Sequence, residues 1–371
     1  MMRSTMAATI LNLSLGACSA NERPALPEGN DVMYVMPAES TPHEGTWLQW
    51  PHKYQYGETY RNRLEATWIA MAREIVSGEK LHIIAYNEEA KGRIIAQLTE
   101  ADIPQEKIDF YLFKTNDVWV RDNGPIYVRN KNGVLTIEGW GFNGWGGKEP
   151  FNYDEKIPFE VATAEKMPFV QLNKKMIVEG GAVEIDGKGS FMATRSSILN
   201  KNRNPGMTQA QAEALFTTYL GTTHFIWLDG VAGLDITDMH IDGFARFGDN
   251  NTIITMSPDD LAIWELTDKD INTLYDATNP SGQPYNYVAL PLTKNNVVTT
   301  YGKDLGYQGS YVNYYITNDK VLVPNYADPN DATANAIIQT LYPNRKVVGI
   351  DVRNLYANGG MVHCVTQQQP Q

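Results

Sequence analysis

The sequence predicts an α/β fold in which repeated units of β-hairpin, helix and strand close in a ring around a central axis. Helical and strand patterns alternate after Asp31, and short turns rich in Gly, Asn and Asp separate them. Four of these turns have the composition of hairpin tips, and the last three are each followed by a helical pattern and then a strand. Because such a unit buries one of its faces only against a neighbour, several units are expected to form one closed domain.

The first predicted helix lies within residues 61–78, and Gly78 is its expected stop. Its apolar side chains recur on one helical face, namely Leu64, Trp68, Met71, Ala72, Ile75 and Val76. A strand is predicted at 81–86 and another at 108–113. Between them, Asn87 is expected to cap a helix that runs to about Thr99.

Turn residues then mark the four hairpin tips, at 130–133, 186–189, 248–251 and 317–320. After the last three tips, helices are predicted to begin near Thr208, Pro258 and Pro329. The strands that follow these helices are predicted at 223–228, 285–290 and 346–350. Because the tips are unevenly spaced, the repeat is structural and is not a copied sequence.

Composition excludes several classes of protein. The 371 residues include 31 Lys and Arg and 43 Asp and Glu, which gives a net charge of −12. A chain with 43% hydrophobic and 20% charged residues is neither a disordered polyelectrolyte nor a membrane-embedded protein. The acidic balance argues against nucleic acid as a partner and suits a small cationic ligand. No segment is long and apolar enough to span a bilayer, and a homo-oligomer is compatible with the sequence.

The N-terminus has the layout of a secretory leader, with one early positive charge, a short apolar stretch and small residues before Cys18. Leu15-Gly16-Ala17-Cys18 resembles a lipobox, in which the cysteine is lipidated. We therefore expect a signal peptide over 1–18, a tether over 19–32, a catalytic domain over 33–371 and a lipid-anchored or periplasmic location. The alternative is an unstructured N-terminus with a later start at Met33 or Met36, which would leave the protein in the cytoplasm.

Polar segments before the hairpins contain the residues suited to chemistry. If the units form a ring, these segments converge on one pocket, and their candidate residues are Trp119, Asp122, Glu179, His240, Asp242, Asn313 and Cys364. Carboxylates bind a guanidinium group through paired hydrogen bonds, and an aromatic face stacks on it. A cysteine thiolate can attack the electron-poor guanidinium carbon while a histidine transfers protons. This combination favours a planar cationic substrate.

Each of these residues also has a purely structural interpretation. A lone cysteine is often a buried residue without a chemical role, and Trp119 fits a core position. His240 and Asp242 would share one face of a strand and could be a surface pair. His363 would alternate with Cys364 on a strand and so point away from it. A metal site from His240, Asp242 and Glu179 lacks a further histidine, so neither a metal nor a cofactor is expected.

The chain resembles the agmatine deiminase family, which is related to the Porphyromonas-type peptidylarginine deiminases. Matching motifs run in family order through nearly the whole chain after Met33, at 36–39, 42–47, 117–122, 142–148, 179–181, 200–205, 240–242, 245–247 and 359–370. The resemblance implies a five-fold pseudosymmetric α/β propeller. It also implies that Cys364 is the nucleophile, that His240 is the acid/base and that Trp119 is an aromatic wall.

The resemblance assigns Asp122, Glu179 and Asp242 to guanidinium binding, with Asp242 also counted in the catalytic set. Asn313 matches a site asparagine of the peptidylarginine branch. The chain departs from the family pattern at Asn123, Met239, Asn358 and Met361, but no reacting group is lost.

The predicted reaction is hydrolysis of agmatine to N-carbamoylputrescine and ammonia through a covalent thioether on Cys364. The alternative is deimination of peptidyl or free arginine outside the cytoplasm. Residues 142–148 contain no arginine pair that could bind a substrate carboxylate, which favours agmatine, whereas export favours a peptide. A non-catalytic polyamine binder would not need Cys364 and His240.

Overall fold

The computed structural model describes residues 32–371. The predicted leader, with Cys18, and all of the predicted tether except Val32 lie outside the described residues, so lipidation and export stay predictions. None of the helices in residues 32–371 is long and apolar enough to cross a membrane.

The described residues form five small sheets. Their strands are β1 Tyr34–Val35, β2 His43–Gln49, β3 Lys80–Ala85, β4 Ile108–Leu112, β5 Ile126–Asn130, β6 Leu135–Gly139, β7 Phe169–Gln171, β8 Glu184–Ile185, β9 Ser190–Thr194, β10 His224–Leu228, β11 Arg246–Gly248, β12 Thr252–Thr255, β13 Asn286–Ala289, β14 Tyr315–Ile316, β15 Lys320–Asn325, β16 Lys346–Asp351 and β17 Gln367–Pro370.

Helices of very different length connect these strands. The α-helices are α1 Lys53–Ile75, α2 Glu88–Glu100, α3 Val120–Asn123, α4 Gly144–Gly147, α5 Ile157–Ala164, α6 Arg195–Ile198, α7 Gln209–Leu220, α8 Pro258–Ile263, α9 Asp268–Tyr275, α10 Asp331–Leu341 and α11 Arg353–Tyr356. Four short 3₁₀ turns lie at Asp154–Lys156, Gly180–Ala182, Ile241–Gly243 and His363–Val365.

All five sheets share one plan, an antiparallel pair followed by a parallel strand. The triplets β5-β6-β7, β8-β9-β10, β11-β12-β13 and β14-β15-β16 have this plan, and a helix precedes the third strand of each. In the fifth sheet, β17 pairs antiparallel with β2, and β2 pairs parallel with β3. The predicted α/β propeller with five-fold pseudosymmetry is therefore confirmed.

The sequence prediction of this plan was incomplete in two places. The first hairpin is also followed by a helix and a strand, α5 and β7, which the sequence analysis did not assign. The fifth unit was missed because its antiparallel pair joins the two ends of the described chain, through β17 and β2. This pairing closes the ring.

Local signals explain where the helices begin and end. The side chain of Asn87 accepts a hydrogen bond from the amide of Ala90, so it caps α2 as predicted. The first helix begins earlier than predicted, at Lys53, and it ends at Ile75, three residues before Gly78. Its predicted apolar face is buried, and Leu64 and Trp68 are fully enclosed.

Two segments near the predicted site are not strands. Asp242 lies in the 3₁₀ turn Ile241–Gly243, and His240 precedes that turn, so they do not alternate along a strand as expected. Cys364 likewise lies in the 3₁₀ turn His363–Val365. Turns of this kind send neighbouring side chains in directions that strand alternation does not describe.

Candidate active site

A cavity of about 160 Å³ has the thiol of Cys364 in its wall. Trp119 and Asp122, at the start of α3, form another part of this wall. The short helix α3 contacts both the Gly180–Ala182 turn and the His363–Val365 turn, so segments from different units of the ring meet here. The polar segments meet as predicted, but of the seven candidate residues only Trp119, Asp122 and Cys364 line this cavity. Glu179, His240, Asp242 and Asn313 do not form part of its wall.

Gly181 marks the centre of the charged cluster. A Cβ atom at this glycine would lie 2.8 Å from Asp122 Oδ1, 2.8 Å from His240 Nδ1 and 3.0 Å from Asp242 Oδ2. Three ionisable groups thus surround a point where the chain has only a hydrogen atom. The absence of a side chain at Gly181 lets these three groups lie close together against the backbone.

Cys364 is half-buried and sits beside two oxygen atoms. Its Sγ lies 3.5 Å from Asn313 Oδ1 and 3.9 Å from Asp242 Oδ2. Burial raises the pKa of the Cys364 thiol well above its usual value, and the charges of Asp242 and Asp122 raise it further. The free site therefore holds a neutral thiol at neutral pH, and a bound cation would favour the thiolate.

His240 lies between two carboxylates. Its Nε2 is 2.8 Å from Glu179 Oε2, and its Nδ1 is 3.6 Å from Asp122 Oδ1. Burial alone would lower the pKa of His240, but the charge of Asp122 and the hydrogen bond to Glu179 outweigh it and raise the pKa to about 9. His240 is consequently protonated at neutral pH and can donate a proton.

Glu179 is already occupied by protein groups. Arg203 donates to both of its oxygens, from Nε at 2.7 Å and from Nη2 at 3.2 Å, in addition to the contact with His240. Burial raises the pKa of Glu179, but His240 and Arg203 together lower it below its ordinary value. Arg203 lies in the family motif at 200–205, but the sequence does not reveal its ion pair with Glu179, because a buried ion pair between distant residues leaves no local pattern.

Asp122 is held in place by two donors. The amide of Gly181 donates to Oδ1 at 3.1 Å, and the indole Nε1 of Trp145 donates to Oδ2 at 2.9 Å. Burial raises the pKa of Asp122 to about 6, against the opposing charge of His240. This carboxylate is therefore largely ionised at neutral pH and fixed in direction.

Gly360, four residues before Cys364, is required for a steric reason. A Cβ atom on Gly360 would lie 2.1 Å from the Trp119 ring, so only glycine allows the indole to pack against this segment. Trp119 is 7% exposed and presents part of its surface to the cavity. Its predicted position as an aromatic wall agrees with this packing.

His363 lies in a 3₁₀ turn and not in the strand that the sequence prediction assumed. It was expected to point away from Cys364, and it does not line the cavity that contains the thiol. Its Nδ1 nevertheless lies 2.8 Å from Asp242 Oδ2, the carboxylate oxygen nearest the thiol. Sequence reasoning thus missed a residue in direct contact with the site.

The charge of the cavity wall is one-sided. Its carboxylates are Asp117, Asp122 and Glu149, and within residues 32–371 no Lys, Arg or His lines it. No cluster of three or more His, Cys, Asp or Glu side chains suited to a metal ion occurs in the same residues. The wall therefore offers hydrogen-bond acceptors for a cation and no positively charged side chain for a substrate carboxylate.

Comparison with known proteins gives one family. Residues 35–370 match the family model of the Porphyromonas-type peptidyl-arginine deiminases. The agmatine deiminase of Pseudomonas fluorescens is 30% identical over 362 residues, which cover 91% of this chain and 95% of that protein.

Two solved structures share the fold over almost their full length. An arginine deiminase of Porphyromonas gingivalis, so named provisionally, is 30% identical with a TM-score of 0.79, over 91% of this chain and 98% of that one. An agmatine deiminase of Enterococcus faecalis is 26% identical with a TM-score of 0.79, over 91% of this chain and 96% of that one.

Proposed function

The chain belongs to the Porphyromonas-type peptidyl-arginine deiminase family, and on this premise we propose that it hydrolyses agmatine to N-carbamoylputrescine and ammonia. The observation that carries the choice of agmatine is the cavity wall beside Cys364, which has three carboxylates and, in the described chain, no basic residue. Agmatine has a guanidinium group at one end and an ammonium group at the other. Free arginine has in addition a carboxylate, which this wall would repel.

The wall divides naturally between the two ends of such a dication. Asp122 lies near Cys364 and His240, where the guanidinium group would react. Asp117 is half-buried beside Tyr56, and Glu149 is exposed, so these two carboxylates suit the distal ammonium group. Trp119 and Trp145 border the same cavity and can contact the alkyl chain between the charges.

In the first half of the reaction, the bound guanidinium favours ionisation of the neighbouring thiol, and the thiol proton passes to solvent. The Sγ of Cys364 attacks the guanidinium carbon and forms a tetrahedral adduct. The C–N bond to one terminal nitrogen then breaks, and His240, protonated in the resting site, donates the proton with which ammonia leaves. A covalent amidino-thioether on Cys364 remains.

In the second half, His240 is neutral and accepts a proton from water as the water oxygen attacks the same carbon. The C–S bond breaks, the hydroxyl proton of the adduct passes to the departing sulfur and restores the neutral thiol of Cys364, and the carbon becomes the ureido group of the product. Asp122 and Asp242 hold the reacting carbon throughout, which supplies the positional part of catalysis. Glu179, engaged by Arg203, orients His240 and does not bind substrate in this scheme.

The nucleophile is tested by Cys364→Ala. The variant is expected to lose turnover, whereas its agmatine affinity by calorimetry should stay within about threefold, because the carboxylates that bind the cation remain. Mass spectrometry of the wild type mixed with agmatine should show an adduct on Cys364. Retained turnover in Cys364→Ala would refute the assignment.

Substrate choice is tested by ammonia release from agmatine, free arginine and a peptide with a C-terminal arginine. We expect kcat/KM for agmatine to exceed that for both arginine substrates. A preference for either arginine substrate would establish the rival function, which the name of the Porphyromonas gingivalis relative favours.

Glu149→Gln tests the distal site. The KM for agmatine should rise by about 1.4- to fivefold, as an exposed ion pair contributes about 0.2–1 kcal/mol. Glu155→Gln, at an exposed position outside the cavity wall, is the matched control and should change nothing. Equal effects of the two substitutions would contradict the assignment of Glu149.

A further inference from the structure

His363 joins two buried carboxylates. Its Nδ1 lies 2.8 Å from Asp242 Oδ2 and its Nε2 lies 2.8 Å from Glu39 Oε2. The ring is 2% exposed. Because an ionised carboxylate only accepts hydrogen bonds, both contacts form together when both ring nitrogens carry a hydrogen.

The far end of this connection is anchored. Glu39 Oε2 lies 2.9 Å from Arg246 Nη2 and 3.5 Å from Arg121 Nη2, and its Oε1 accepts the amide of Ile316 at 2.9 Å. Burial would raise the pKa of Glu39, but Arg246 and His363 outweigh it and hold the pKa well below its ordinary value. Glu39 is thus an ionised, immobilised support.

The near end reaches the nucleophile. Asp242 Oδ2, which accepts from His363, is also the oxygen 3.9 Å from the sulfur of Cys364. The backbone amide of His363 donates to Asn313 Oδ1 at 3.0 Å, and the same oxygen lies 3.5 Å from the sulfur. His363 therefore fixes both oxygen neighbours of the thiol.

We propose that His363 is a positioning residue, which holds the Asp242 carboxylate beside Cys364 by linking it to the anchored Glu39. The inference rests on the proposed function only in that Asp242 binds a planar cation next to the thiol. It gives a role to a histidine that neither touches the substrate nor transfers its protons. The network is buried and made of charged hydrogen bonds, so its geometry is expected to be specific.

Two amide substitutions separate the two contacts of the ring. In His363→Asn the side-chain amide nitrogen replaces Nδ1 and can still donate to Asp242. In His363→Gln the amide nitrogen extends to the place of Nε2 and can donate only to Glu39. Both variants are polar and uncharged, so a role in net charge alone would affect them alike, and a role in packing alone would make the smaller Asn variant the more impaired of the two.

The readout is alkylation of Cys364 by two reagents of similar size, cationic 2-chloroacetamidine and neutral iodoacetamide. A positioned Asp242 attracts the amidinium, so the ratio of the two rate constants reports its orientation. We expect His363→Asn to keep this ratio within about threefold of the wild type. His363→Gln should lower it by about tenfold, because misplacement by a fraction of an ångström has effects of this order.

Peptide mass spectrometry assigns the alkylated residue, with Cys364→Ala as the blank, because Cys18 is the other cysteine of the chain. Equal ratios in the Asn and Gln variants would overturn the proposal. The assay needs no turnover, so it remains decisive even if agmatine proves not to be the substrate. Should either variant fail to fold, Glu39→Gln must lower the ratio in its place, and an unchanged ratio there would also overturn the proposal.

Turnover gives an independent measure. With whichever guanidino substrate the wild type accepts, His363→Gln should lower kcat by about 10- to 100-fold while KM changes less than about threefold. His363→Asn should keep most of the wild-type kcat. A change confined to KM in both variants would contradict a positioning role.

Discussion

Filling the space at Gly181 should inactivate the enzyme without unfolding it. In Gly181→Ala the new methyl carbon would lie 2.8 Å from Asp122 Oδ1 and His240 Nδ1 and 3.0 Å from Asp242 Oδ2. Ordinary contacts begin at 3.4 Å, so each of the three groups must move by about 0.4–0.6 Å. None of them ends a flexible exposed chain that could move cheaply, because all three side chains are buried.

Displacements of this size predict a large kinetic effect. A misplacement of about 1 Å can cost about 100-fold in rate, and here three groups of the site are displaced together. We expect kcat/KM for agmatine to fall by about 100-fold or more, which corresponds to about 2.7 kcal/mol in the transition-state free energy. The free energy of unfolding should fall by about 1–3 kcal/mol, the usual effect of overpacking.

The assay combines colorimetric detection of the ureido product with urea unfolding followed by circular dichroism. Gly92→Ala is the control, because no atom lies within 4 Å of its new Cβ on helix α2. That variant should keep full activity and gain up to about 1 kcal/mol of stability. A Gly181→Ala enzyme that retains kcat/KM within about threefold of the wild type would refute the role assigned to the positions of Asp122, His240 and Asp242.

Two further predictions concern protons and the buried ion pair. The profile of kcat/KM against pH should be bell-shaped. The value should fall below about pH 6 as Asp122 gains a proton, and above about pH 9 as His240 loses the proton that it donates. An undiminished kcat/KM at pH 5 or at pH 10.5 would contradict this. Arg203→Leu should lower the free energy of unfolding in urea by about 3–5 kcal/mol because it leaves the charge of Glu179 buried without its arginine. Arg353→Leu, which breaks a partly exposed pair, should lower it by at most about 1 kcal/mol, and equal losses in the two variants would contradict the burial argument.

The parts of the fold that were predicted correctly have local signals. Each predicted hairpin tip contains Asn, Asp or Gly residues that form a tight turn by themselves, and the Asn87 cap depends on a neighbour three residues away. The fifth unit has no such signal. Its strands β2 and β17 pair residues more than 300 positions apart, for example Trp47 with Gln367.

The site also has features that local sequence signals predict and features that they do not. Residue types and the family resemblance identified Cys364, His240 and the surrounding carboxylates, and the structure brings these residues together. It does not follow from local patterns that Arg203 would occupy both oxygens of Glu179. The contact of His363 with Asp242 was missed because a 3₁₀ turn, stabilised by tertiary contacts such as the Asn313 bond to its backbone, replaces the assumed strand.

The sheet that joins β17 to β2 has a consequence for how activity is lost on heating. Gln367, the first residue of β17, follows Cys364 after two intervening residues, so local opening of this strand would carry the sulfur away from its partners while the other four sheets keep their structure. Inactivation at rising temperature should then precede the melting of helices as a sub-global event. Opening of this one β-ladder would be enough to end catalysis, so strengthening it is expected to lengthen the working life of the catalyst.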